Sequence, residues 1–236
     1  MKPLVRWTIG PVHDAGFEVL QCSIKNMMRI YGDVFRYVIC HNGNQLSRIE
    51  NLGCLCVSQE KYLHDINVLE PCGPSWKLYP PRLSLNTHEI FIDNDLVIHD
   101  RMPSLDRFLK ESIVLATNPL KRNYGNIDDF VYKETRINTG LMCLPPGFDF
   151  GFKLNEKIEK YGIKDLSGHF DEQGLVASVF QDNEFETVSL DEINICYAAL
   201  TKYRFAKFGM HFVGANKGER NYWNKYKMDL LIRKFL

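Results

Sequence analysis

The segment FIDNDLVIHD, residues 91–100, carries the strongest chemical signal in the chain. An apolar run ends in Asp93-Asn94-Asp95, so two carboxylates stand two positions apart where an extended segment stops. Residues i and i+2 of a strand point to the same side. Two carboxylates facing one way repel each other unless a cation lies between them. Mg2+ and Mn2+ prefer such oxygen ligands and often share them with substrate phosphates. Asp-Asn-Asp is also good turn chemistry, with its side chains bonding nearby backbone. The tripeptide alone leaves both readings open.

The elements that must position these carboxylates alternate between the two secondary-structure periods, as in an α/β fold. Residues 4–9 read as a first strand, broken by Gly10-Pro11. Phe17, Leu20, Ile24, Met27 and Met28 recur at helical spacing and predict a helix over 16–31, ended by Gly32-Asp33. Residues 34–40 predict a second strand, 46–52 a short helix and 54–57 a third strand. A Pro- and Gly-rich loop follows over 70–81, then a short helix over 82–86. Strands are expected at 89–92, 113–117 and 136–144, and helices at 153–161 and 172–180. The strand 89–92 runs directly into Asp93. Its C-terminal edge is where open α/β sheets bind ligands.

Bulk properties set the class. The chain has 236 residues, 45% hydrophobic and 25% charged, which fits one globular domain over 1–236. The formal net charge is zero, so composition does not favour nucleic-acid binding. The cysteine count is seven, and the opening MKPLVRWTIG lacks the apolar run of a signal peptide. Reduced thiols and a cytoplasmic location are the expectation. Cys54 and Cys56 have no partner pair at zinc spacing and read as strand residues. No run approaches the roughly 20 apolar residues of a membrane span. The last segment, 222–236, mixes basic, aromatic and aliphatic residues. It predicts a C-terminal helix that either packs on the domain or makes peripheral membrane contact.

Four further segments follow one order. Trp76 to Arg82, with Lys77 and Arg82, is a basic stretch ahead of Asp93. Arg136-Ile137-Asn138-Thr139-Gly140-Leu141-Met142 contains Asn-x-Gly on a strand. Asp171-Glu172-Gln173-Gly174 is an acidic-Gln helix start. His211-Phe212-Val213-Gly214-Ala215-Asn216-Lys217 has the form His-x-x-Gly-x-x-Lys. Together with Asp93-Asn94-Asp95 these resemble glycosyltransferases of the nucleotide-diphospho-sugar, or GT-A, fold, and family 8 in particular. The resemblance runs from Leu4 to Lys217. The loop over 70–81 departs from the family, and Trp223 comes later than the family's residue after the Lys. Phosphatases of the haloacid-dehalogenase type also use Asp-x-Asp, but near the N-terminus and followed by Gly-Thr. Here Leu96-Val97 follows. Walker, G-x-G-x-x-G and G-x-S-x-G patterns are absent.

The resemblance implies a central mixed sheet flanked by helices and transfer of a sugar from a nucleoside diphosphate, UDP foremost, to a glycan or other hydroxyl acceptor. It implies Mn2+ or Mg2+ held by Asp93, Asp95 and His211. Lys217 would meet the diphosphate, with Gly214 allowing close backbone approach. Arg82, Asn138 and Gly140 would line the donor pocket. Glu172 and Gln173 would bond sugar hydroxyls, with Asp171 or Glu172 as base if the reaction inverted the anomeric carbon. The family-8-like ending implies retention. Each residue has a plainer reading as well. His211 could be a satisfied core residue, and Lys217 and Arg82 surface charges. Gly214 could mark a bulge, Asn138 and Gly140 a turn at an edge strand. Asp171 to Gln173 could be an ordinary helix start with Asp171 as N-cap. A non-catalytic sugar-nucleotide or glycan binder on the same fold would share many of these features.

Overall fold

The computed structural model describes residues 1–67, 71, 73–119, 124–168, 170–197 and 201–233. Of the expected loop over 70–81, Glu70 and Cys72 lie outside the described residues, as do Lys234, Phe235 and Leu236 of the expected C-terminal helix. Strands β1 (Leu4–Ile9), β2 (Arg36–His41), β3 (Leu55–Ser58) and β4 (Glu89–Asp93) run parallel. Strands β5 (Leu96–Ile98), β6 (Val114–Thr117), β7 (Asn138–Leu144), β8 (Phe185–Val188), β9 (Ile193–Tyr197) and β10 (Gly209–Val213) follow. The helices are α1 (Asp14–Tyr31), α2 (Leu46–Ile49), α3 (Pro103–Glu111), α4 (Phe150–Tyr161), α5 (Asp171–Phe180) and α6 (Asn221–Arg233).

One sheet has seven strands in the order β3-β2-β1-β4-β7-β6-β8, and a smaller one has the order β5-β10-β9. The large sheet is mixed, because β7 runs antiparallel to both β4 and β6. Alternation along the strands splits its side chains between two cores. Trp7, Ile90, Ile92 and Leu141 pack with Leu20 and Ile24 of α1 and Phe108 of α3. Phe91 and Met142 face the other way, onto Phe150 and Leu154 of α4 and Val176 and Phe180 of α5. Trp7 stays wholly buried because its indole Nε1 donates to Ser23 Oγ at 2.9 Å. A third core joins Val19 of α1 to Val97, Met210 and Phe212 of the small sheet and to Trp223 and Tyr226 of α6.

The expected strands through β4, and those at β6 and β7, form within two residues of their predicted ends. Two expectations change. No helix forms over 82–86, where Arg82 is bound to backbone carbonyls instead. The loop after β3 contains a 3-10 turn, Gly73–Leu78. Strands β5, β8, β9 and β10 and helix α3 are additions to the sequence-based outline. The small sheet of β5, β10 and β9 places His211 next to the turn that ends β4: His211 lies opposite Leu96, and Phe212 N donates to Asp95 O at 2.7 Å.

Candidate metal centre

Asp93 closes β4, and Asp95 ends the two-residue turn into β5. His211 comes from the middle of β10, where Nε2 lies 3.0 Å from Asp95 Oδ1, which can only accept, and 3.7 Å from Asp93 Oδ2. One ligand atom from each of the three residues lies within 4.8 Å of the others. His211 Nδ1 is buried without a hydrogen-bond partner. Two hard carboxylates and one imidazole nitrogen suit a divalent cation, so the residues present fit the metal that the sequence resemblance implies. Burial works against protonation of His211, but Asp95 and Asp93 outweigh it and hold its pKa above the ordinary imidazole value.

Gly140 on β7 makes room for this imidazole. A Cβ there would stand 2.5 Å from His211 Cε1 and 2.6 Å from Nδ1. Its place in the site is therefore steric. Gly214 follows β10 with φ 102°, a left-handed conformation that glycine adopts without strain. It starts the 3-10 turn Ala215–Lys217, which leaves Lys217 exposed.

A buried cation sits beside the carboxylates. Lys77 Nζ is 2.8 Å from Asp93 Oδ1, 3.1 Å from Thr139 Oγ1 and 4.0 Å from Glu172 Oε1. Its backbone is fixed from below: Arg6 Nη2 donates to Lys77 O at 2.8 Å, and Gln59 Nε2 to the neighbouring Trp76 O at 2.6 Å. Burial opposes the ammonium charge, but Asp93 and Glu172 outweigh it and raise its pKa. Burial likewise lifts Glu172 above the usual carboxylate range, against the pull of Lys77. Sequence reasoning placed Lys77 in a basic stretch without giving it a role. The signal was thin, since one lysine before Asp-x-Asp is usually a solvated charge.

Beside Glu172, Gln173 Oε1 accepts from Asn138 Nδ2 at 3.0 Å and from Thr139 N at 3.2 Å. Both acceptor directions are thereby used, which leaves the amide NH2 as the group this side chain can offer a ligand. Asn138 is itself locked, with Oδ1 taking Gly140 N at 2.9 Å. Asn216, also missed from sequence, reaches the Asp93–Asp95 turn from the far side: Nδ2 donates to Asn94 Oδ1 at 2.9 Å and Asp95 Oδ2 at 3.3 Å.

Two expected residues are held elsewhere. Arg82 pairs with Glu89, at the other end of β4, and donates to the carbonyls of Pro145, Phe148, Ser84 and Thr87. Its five donors are spoken for, so a nucleotide has none to use. Asp171 accepts from Asn126 N, Asn126 Nδ2 and Gly168 N at 2.9, 3.1 and 2.8 Å. It ties the loop before α5 to the 3-10 turn at Gly125–Phe130, a structural task rather than that of a base.

No protein-family profile matches the sequence, and no curated protein sequence matches it. Solved structures do match in fold. Galactosyltransferase LgtC, in complex with donor and acceptor sugar analogs, superimposes with a TM-score of 0.61 at 12% identity, over 92% of this chain and 90% of that one. Mouse xyloside xylosyltransferase 1, apo form, gives 0.58 at 10% identity over 91% and 98% of the two chains. The bifunctional glycosyltransferase WbbM gives 0.56 at 11% identity, over 82% of this chain and 40% of its own. The chain therefore has the GT-A fold, with its Asp-Asp-His group at the end of β4.

Proposed function

We propose that the chain is a metal-dependent glycosyltransferase that moves a sugar from a nucleoside diphosphate, UDP foremost, to a hydroxyl of a glycan or similar acceptor, with retention. The observation that carries this reading is the convergence of Asp93, Asp95 and His211 at a strand end of a GT-A fold. These three side chains would hold Mn2+ or Mg2+, which when bound neutralises charge on the diphosphate leaving group. Lys217, exposed and next to the site-forming turn, places a compact cation where it can follow that charge. Gly214 lets the backbone before it approach the ligand.

Glu172, Gln173 and Asn138 form the wall opposite, and Gly140 keeps that wall clear of the His211 ring. Gln173 offers an amide N–H to a sugar hydroxyl. Lys77 holds Asp93 and Glu172 in register and neutralises part of their repulsion. Retention follows the family-8-like 211–217 segment. Glu172, the carboxylate an inverting enzyme would use as base, is engaged with Lys77 instead.

The test is a thermal-shift series with nucleoside diphosphates and nucleotide-sugars, with and without Mn2+, since a ligand of the native state raises apparent stability. A shift that needs Mn2+ and disappears with chelator supports the reading. A shift indifferent to metal refutes the assignment of Asp93, Asp95 and His211. Slow hydrolysis of the donor without acceptor separates a transferase from a non-catalytic binder.

Peripheral membrane contact belongs to the same proposal. No helix among the described residues is long and apolar enough to cross a membrane. Helix α6 exposes Met228, Leu231 and Ile232 beside Lys225 and Arg233, a pattern suited to an anionic lipid surface. Flotation with anionic liposomes, repeated after Met228, Leu231 and Ile232 are changed to Ser, tests it; equal flotation of both proteins counts against it.

A further inference from the structure

We infer that Asn216 is a positioning residue that clamps the carboxylate of Asp95 from behind and so presents its other oxygen to the metal position. The inference rests on the reading of Asp93, Asp95 and His211 as a metal site.

The two oxygens of Asp95 have different partners. Oδ1 faces His211 Nε2 at 3.0 Å, on the side where the ligand atoms converge. Oδ2 accepts from Asn216 Nδ2 at 3.3 Å. The same NH2 group bonds Asn94 Oδ1 at 2.9 Å, so it bridges two successive residues of the turn. Orientation of the amide is settled by chemistry: a carboxylate only accepts, so the NH2 and not the carbonyl must face Asp95. An asparagine bonded this way fixes the rotation of the Asp95 carboxylate. One oxygen then points forward while the other is occupied.

The clamp is itself anchored. His13 N, just before α1, donates to Asn216 O at 3.2 Å. Gly16, in the first turn of α1, allows a contact no side chain would permit: a Cβ there would lie 2.5 Å from Asn216 Oδ1 and 2.9 Å from its Cα. The segment carrying Asn216 is bounded by Gly214 and Gly218, with φ 102° and 92°. It is a short strap pressed between α1 and the Asp93–Asp95 turn, and it also carries Lys217. Asn216 thereby links the helix, the turn and the exposed lysine. Groups that orient a ligand without touching the ion typically change metal affinity about 10- to 100-fold when removed.

The test is Mn2+ titration of the full chain followed by electron paramagnetic resonance, which reads free ion and needs no turnover. It is run well below the melting temperature, so that a merely stabilising role would not move the result. Asn216→Ala is expected to bind Mn2+ about tenfold more weakly than the parent. Gly16→Ala approaches from the other side, pressing on Asn216 without touching the Asp93–Asp95 turn. Its methyl displaces the strap backbone, and a similar loss is expected. Parent-like affinity in either variant overturns the inference while leaving the metal site intact. A parent chain that binds no Mn2+ overturns the metal site, and this inference with it. Should Asn216→Ala fail to fold, Gly16→Ala decides alone by the same two outcomes.

Discussion

Strand β4 carries a carboxylate at each end, and the two ends are wired differently. At the start, Glu89 is fully buried between Arg6 and Arg82 and accepts from Leu83 N at 2.9 Å. Two cations serve one carboxylate, and Arg6 lies 3.7 Å over the Phe91 ring as well. At the far end, Lys77 pairs with Asp93 and Glu172, and Asp95 faces His211 Nε2. The first cluster supports the second through the bond from Arg6 to Lys77 O. The second gathers three carboxylates around Lys77 and His211. A carboxylate enclosed by two buried arginines has stability as its job; carboxylates and a histidine gathered at a sheet's C-terminal edge suit a ligand.

The sharpest way to break this contrast is to remove the carboxylate at each end. Glu89→Gln leaves two buried arginines without their partner and should cost about 3–5 kcal/mol in urea unfolding. Asp95→Asn relieves repulsion with Asp93 but takes a partner from His211, so it should cost clearly less than Glu89→Gln. Equal losses at both ends would abolish the distinction.

Activity should respond in the opposite sense. Asp95→Asn is expected to lower turnover at saturating Mn2+ at least about a hundredfold, roughly 3 kcal/mol of transition-state stabilisation. Full turnover in that folded variant would remove the metal from the argument.

His99 provides a third kind of buried group, neither balanced nor open. Burial pushes its pKa from 6.5 down to about 4, against a hydrogen bond to Ala206 O. The folded-state pKa is depressed, so the unfolded chain takes up the proton first. Stability is then flat above about pH 6.5 and falls as the pH drops toward 4, by about 3 kcal/mol. His99→Phe should flatten that decline in unfolding measurements at pH 7 and pH 4.5. An unchanged slope would assign it to other groups.

The smallest expected effect is at Lys217. Exposed in the structure, it should contribute nothing measurable to unfolding. Lys217→Ala should weaken nucleoside-diphosphate binding about tenfold, near 1.4 kcal/mol, while leaving the free nucleoside unaffected, because only the former carries the charge. Calorimetry with both ligands checks it; equal loss for both would place Lys217 away from the phosphates.

Much of this was legible in the chain because it depends on local period. Leu4–Ile9 and Glu89–Asp93 are short, largely apolar runs of the kind that form strands buried on both faces, and α1 repeats its apolar residues at helical spacing. Helix α3 was legible too, with Pro103 in its first turn and Leu105, Phe108 and Leu109 on one face, though the outline omitted it. Strand β10 was not, because glycine and a buried histidine interrupt its apolar pattern. Arg82 and Asp171 read as site residues, since a sequence gives residue type and order but not which donors a side chain has already met. The local pattern fixed Asp93 and Asp95 at a strand end, pointing together. Only the tertiary structure could bring His211 to Asp95 across 116 residues, set Lys77 against Asp93 and Glu172, and open Gly140 for the imidazole. Backbone periodicity is a short-range property, whereas a charge cluster is made by distances that chain order does not contain.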